Sequence, residues 1–176
     1  VADLFVGDAL IATVKMRGRE DTLYKGSGRP ACPTVPIVVL VNAETSGGAE
    51  LIAAAMQDHR RADVCGQRTR GKASVQTPLA VGIDGIGFKL TSGTFLRPSG
   101  KNLHRSPDSR SRDDWGVIPN EDYRISPELS RRYAEEWQRW SLRPSWSVER
   151  LALDDPTFDV QREAAVRMLK KKLEKK

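Results

Sequence analysis

A strand–helix–strand unit constrains this chain more than any other feature. Ile37-Val38-Val39-Leu40-Val41-Asn42 is a short β-branched run, opened by Pro36 and closed by a turn. Such a run reads as a fully buried strand, typically of parallel type. Glu50 to Arg60 follows as a helix, and Leu51-Ile52-Ala53-Ala54-Ala55-Met56 makes it so apolar that it must pack against a sheet. Ala62 to Cys65 is a second short strand. This order is a βαβ signature and predicts an α/β fold.

The flanks agree with that frame. Val1 to Val6 reads as a helix closed by Gly7, Leu10 to Met16 as a strand, and Leu23-Tyr24-Lys25 as its short partner. Gly26 to Pro36 is a loop. Ser74 to Leu79 and Phe88 to Leu96 read as extended, with a hairpin turn at Ile83-Asp84-Gly85-Ile86. Residues 105–114 contain no apolar side chain and are expected to be mobile. Tyr123-Arg124-Ile125 is a candidate last strand. Ser126-Pro127-Glu128 starts a helix, with Ser as N-cap and Pro in the first turn. Its stripe of Leu129, Tyr133, Trp137 and Trp140 is expected to pack in the core. Asp155-Pro156 opens a final helix bearing Ala164, Ala165, Met168 and Leu169.

Charge and cysteine content exclude several classes. Residues 167–176 hold six basic groups and one acid, which accounts for +5 of the net +6. The body is nearly neutral, so the sum gives no argument for nucleic acid, whose binders spread basic charge over a folded face. No apolar run approaches the roughly 20 residues of a membrane span. Val1 to Ala12 has no basic leader and does not read as a signal peptide. Cys32 and Cys65 lack a CxxC partner, and Cys65 reads as a small buried hydrophobe. His59 suits a helix end and His104 a charged loop. Neither has the setting of a metal ligand or general base, so any hydrolytic chemistry is not expected to depend on histidine.

Two segments are suited to chemistry. Asn42-Ala43-Glu44-Thr45-Ser46-Gly47-Gly48-Ala49-Glu50 joins the strand to the helix. Backbone N–H groups at a helix N-terminus suit a negative oxygen, and Ser46 is a candidate nucleophile. On this segment alone, a capping role for Thr45 or Ser46 is the commoner explanation. The second segment is Gly66-Gln67-Arg68-Thr69-Arg70-Gly71-Lys72-Ala73-Ser74-Val75-Gln76. A lysine desolvated at a strand start favours its neutral form and can accept a proton from serine. Gln76 is placed to orient its amine. The alternative is a solvated lysine in a basic turn. A phosphate loop is rejected, because Ala73 stands where GxxxxGK[ST] needs a hydroxyl and a strand follows instead of a helix.

Taken with Lys89-Leu90-Thr91-Ser92-Gly93-Thr94, Arg97-Pro98-Ser99-Gly100-Lys101 and Gly116-Val117-Ile118-Pro119-Asn120, these segments resemble the carboxyl-terminal processing proteases, the tail-specific S41-type serine peptidases. The resemblance covers residues 1–125 and leaves 126–176 as a C-terminal helical extension with a basic tail. It implies a ClpP/crotonase-like α/β core and a serine endopeptidase that cleaves proteins near their C-termini. By that resemblance Lys72 falls on the general base and Gln76 on its supporting glutamine. The family nucleophile stands three residues before the glutamate, which is Gly47 here, so Ser46 lies one position early. Either Ser46 acts from a shifted turn, with the Gly47 N–H as oxyanion donor, or the chain is an inactive relative that binds extended peptides. The resemblance further implies polypeptide C-termini as substrates bound as an added strand, a PDZ domain upstream of this partial catalytic core, and an extracytoplasmic location. It implies a reaction that needs no cofactor or metal, and it leaves the oligomeric state open.

Overall fold

The computed structural model describes residues 1–80, 87–120, 125–142 and 159–174. Four helices and six strands follow in the order α1 (Asp3–Val6), β1 (Leu10–Met16), β2 (Thr22–Lys25), β3 (Val38–Val41), α2 (Gly48–Asp58), β4 (Asp63–Gly66), β5 (Ser74–Ala80), β6 (Gly87–Leu96), α3 (Pro127–Ser141) and α4 (Val160–Glu174). The fold is mixed α/β, as the sequence predicts. β3 and β4 pair in parallel, Val38 opposite Asp63 through Val41 opposite Gly66, with α2 as the crossover. The remaining strands form an antiparallel sheet in the order β2-β1-β6-β5.

The core lies where these units meet. Val41, Ala53, Ala54, Val64, Ala73, Leu103 and Val117 are buried together, with Val39, Leu51 and Phe95 packed against them. Ala53 to Met56 of α2 are all at most 1% exposed. Three consecutive alanines present almost no side-chain bulk, so the helix backbone can sit close to its neighbours. α4 lies across β3 and β4. It buries Ala165 and Met168, and Lys172 pairs with Asp63 at 2.8 Å.

Several expectations need correction. β3 is not fully buried: Val38 and Val39 are half-buried, Leu40 is exposed, and Val41 alone is enclosed. Among the described residues β3 pairs with β4 alone, so one of its edges has no neighbouring strand to cover it. Nor is the α3 stripe core where it is described, the Trp140 side chain lying outside the described residues. Leu129 and Tyr133 are half-buried and Trp137 is 59% exposed, because α3 packs only lightly on the body. Ser126 does cap α3, accepting the Leu129 N–H at 3.2 Å. The turn at 83–86, residues Tyr123 and Arg124 of the candidate strand, and the Asp155-Pro156 helix start lie outside the described residues.

The loop at 105–114 is tied down. Arg68 donates to the carbonyls of Ser111, Asp113 and Trp115. Its guanidinium lies 3.5 Å over the Trp115 ring, which Arg105 also approaches. Both cysteines are free, and Cys65 is fully buried. His59 stands at the C-terminal end of α2 and its ring contacts the Leu10 carbonyl at 2.6 Å, a structural role.

α2 is also fastened at its far end by charge. Arg97 donates to Asp58 Oδ1 at 2.6 Å and Oδ2 at 3.0 Å, and both side chains are largely buried. Burial works to raise the Asp58 carboxyl. The Arg97 and Ser99 hydrogen bonds and the Arg97 charge outweigh it, so Asp58 titrates below its ordinary 3.8. A depressed folded pKa contributes stability above the unfolded value and loses it as pH falls through the folded one. Asp58→Asn is expected to cost roughly 3–5 kcal/mol near neutrality, as breaking a buried pair does. In urea titrations the gap from the parent protein should shrink as pH falls below the carboxyl's ordinary 3.8.

Candidate active site

The β3–α2 turn is built by its own side chains. Asn42 Oδ1 accepts the Glu44 N–H and the Thr45 N–H, each at 3.0 Å, and the Thr45 hydroxyl at 3.1 Å. Thr45 Oγ1 in turn accepts the Asn42 N–H. Such a side-chain turn reverses the chain immediately after the strand. The Thr45 hydroxyl is thereby engaged, and the N-cap position of α2 falls on Gly47, not on Thr45 or Ser46. Gly47 has φ 60° and ψ −124°, a conformation that L side chains rarely adopt. Ser46 is half-buried, and its hydroxyl has no hydrogen bond among the described residues.

Glu50 joins this turn to the second segment. Its side chain is completely buried. Oε2 accepts the Gly47 N–H at 3.0 Å and the Lys72 N–H at 2.8 Å. Oε1 accepts the Thr69 hydroxyl at 2.5 Å and the Gly71 N–H at 2.6 Å. Four donors on one carboxylate satisfy its lone pairs without a cationic partner. The Arg70 N–H adds a bond to the Thr45 carbonyl at 2.9 Å. A Cβ built on Gly47 would stand 4.0 Å from the Lys72 carbonyl oxygen. The two candidate segments are therefore side by side.

The structure is less obliging about individual roles. Lys72 is exposed and forms no ion pair among the described residues, so the expected desolvation at a buried strand start is not met. It precedes β5 by two residues, at the outer edge of its sheet, where nothing covers the side chain. Gln76 turns its amide nitrogen to Ser74 Oγ at 3.1 Å and Thr91 Oγ1 at 2.8 Å instead of toward the lysine. The Gly47 N–H, the expected oxyanion donor, is held by Glu50. The Gly48 N–H, first in α2, has no partner among the described residues. Beside the turn, at the carboxyl ends of β3 and β4, lies a cavity of about 650 Å³ lined by Asn42, Ala43, Gly66, Trp115, Ile118 and Ile125 among others. Clefts at that end of parallel strands are common ligand sites.

Sequence reasoning missed the structural weight of Glu50. The signal was available, since a glutamate three residues past the N-cap reaches back to the cap N–H. Its reach to Thr69, Gly71 and Lys72 is tertiary and has no local signature. No group of three His, Cys, Asp or Glu side chains among the described residues is arranged to hold a metal. Glu50→Gln turns one acceptor into a donor facing two donors. It is expected to cost roughly 2–4 kcal/mol in chemical denaturation and to loosen residues 69–72 in hydrogen exchange.

Comparison with known proteins places this geometry. The chain is 33% identical over 104 residues to a carboxy-terminal-processing protease of Bartonella bacilliformis, covering 58% of this chain and 24% of that protein. It is 32% identical over 115 residues to a chloroplastic C-terminal processing peptidase of Tetradesmus obliquus, covering 64% and 24%. The chain thus spans about a quarter of the length of these relatives. Among solved structures, the photosystem II D1 C-terminal processing protease superposes with a TM-score of 0.61 at 27% identity, over 73% of this chain and 30% of that one. The family model of Peptidase family S41 matches residues 1–121, which hold the turn, Glu50, Lys72 and Gln76 alike. By fold, by motif order and by this match, the chain belongs to peptidase family S41.

Proposed function

We propose that these residues form part of the catalytic domain of a serine-type endopeptidase that cleaves polypeptides near their C-termini. The observation that carries the reading is the Glu50 carboxylate, which holds the Ser46-Gly47 turn and the Lys72 backbone together. In this reading Ser46 Oγ attacks the scissile carbonyl while the Lys72 amine takes its proton, then returns it to the leaving amine. The lysine must be neutral to do so, and a bound polypeptide lying over its exposed side chain supplies the desolvation. The Gly48 N–H is a donor available to the oxyanion, and Gly47 becomes one if Glu50 releases it. Gln76 reaches the amine only after leaving Ser74 and Thr91.

The substrate is proposed to lie as an added strand along the outer edge of β5, which starts two residues beyond Lys72. Residues 1–125 are taken as a partial peptidase core and 126–176 as its extension, with a PDZ domain upstream in the full-length protein. An extracytoplasmic location is consistent with relatives named as chloroplastic. No helix among the described residues is long and apolar enough to cross a membrane.

A second reading, a non-cleaving relative that binds extended peptides, is favoured by one observation. The strained position of the turn is Gly47, with Ser46 before it. Hydrolases place their nucleophile on such a sharp strand-to-helix turn. The two readings separate in the full-length protein with a fluorogenic peptide substrate. Lys72→Ala is expected to lower kcat/KM by roughly 10²–10⁴, and Ser46→Ala to abolish the activity. Cleavage that survives Ser46→Ala removes Ser46 from the mechanism. A wild type without cleavage favours the binder; Gly47→Ser then tests for a missing nucleophile, with room for its Cβ but at a strained backbone position of φ 60°.

A further inference from the structure

Two arms leave the parallel sheet to reach the candidate site. One leaves β3 at Val41 and runs through Asn42 to Gly47. The other leaves β4 at Gly66 and runs to Lys72. Glu50 fastens the far ends of both arms. Their roots are fastened from outside the region matched to the family, by Gln161 in the first turn of α4. Gln161 Nε2 donates to the Val41 carbonyl at 2.9 Å and to the Cys65 carbonyl at 3.1 Å. The Val41 carbonyl also accepts the Gln67 N–H at 2.9 Å, so both of its lone pairs are used at the point of departure.

The surroundings are shaped to this amide. A Cβ on Gly66 would collide with the Val41 carbonyl oxygen and with Gln161 Nε2, so the glycine leaves open the space where the two meet. Gly66 also has φ 125°, a value that L side chains rarely adopt. α4 is itself held in place at both ends. The Val160 N–H donates to the Tyr133 hydroxyl of α3, and Lys172 pairs with Asp63 at 2.8 Å. The Cys65 thiol contacts the Gln161 carbonyl at 4.0 Å.

We propose that Gln161 is a positioning residue for the candidate active site: its amide bridges the strand-end carbonyls of Val41 and Cys65, and so sets the separation of the arms that carry Ser46 and Lys72. The C-terminal extension is thereby a working part of the site. The catalytic consequence rests on the endopeptidase reading. The geometric one does not. A carboxamide suits the position, because the two carbonyls face it together and a single NH₂ carries one donor for each. Displacement of catalytic groups by a fraction of an ångström lowers turnover more than it lowers binding.

The test compares Gln161→Met, which keeps length but removes the donors, and Gln161→Glu, which sets a carboxylate against two carbonyls, with Lys172→Ala on the same helix. In the full chain, hydrogen exchange of the Gln67 amide is expected to accelerate about tenfold in Gln161→Met, and more in Gln161→Glu. Lys172→Ala is expected to leave it unchanged. In peptide cleavage, kcat is expected to fall roughly tenfold to a hundredfold with KM within about twofold, for the Gln161 variants only. Unchanged exchange at Gln67 in both Gln161 variants overturns the proposal. Equal acceleration in Lys172→Ala overturns it too, since the effect is then loss of helix docking. If the parent enzyme cleaves nothing, the endopeptidase reading fails, and the exchange measurements still decide the role of Gln161.

Discussion

The arrangement depends on a buried carboxylate that has no cation beside it among the described residues. Glu50 is completely enclosed and is satisfied by three backbone N–H groups and one hydroxyl. An ionised group in that position is tolerated only because every donor is aimed at it before any substrate arrives. The consequence is geometric. Two loops that leave separate strands, with no secondary structure joining them, are held to a common origin.

That origin is reached because α2 is almost featureless on its inner side. Ala53, Ala54 and Ala55 let the helix lie deep, which carries its first turn, and with it Glu50, inward to meet residues 69–72. A bulkier helix would hold the carboxylate away from the Gly71 and Lys72 amides. The Arg97–Asp58 pair fixes the other end of the same helix, so α2 is located at both termini by polar contacts and along its length by small side chains.

Much of this was legible in the chain. The β-branched run, the alanine-rich helix and the second short strand specified the parallel pair, and Leu10 to Met16 was readable as β1. The site residues were legible as a neighbourhood, through motif order. Their contacts were not. Lys72 and Gln76 lie at a sheet edge, where the hydrogen bonding of Gln76 is decided by Thr91 across the strand pair, and local sequence carries no record of that. The exposure of Trp137 was misjudged for a related reason: a helical stripe reports that a helix has an apolar face, and says nothing of whether a partner covers it. Gln161 lay beyond every recognised motif, and a single polar residue in a helix gives no sign that two strand ends are waiting for it.

The anchorage of residues 110–115 carries a consequence for how this surface can change. Arg68 grips the segment through main-chain carbonyls of Ser111, Asp113 and Trp115 and through one aromatic face. Carbonyls are common to every amino acid, so the Arg68 grip does not depend on the side chains at 111 and 112, whereas Asp113 also accepts the Arg110 N–H and Asp114 pairs with Lys101. Ser111, on the rim of the cavity at the carboxyl ends of β3 and β4, can therefore change while its backbone path is preserved. Substitution there reshapes the lining of the cavity without disturbing the contacts that hold the segment in place.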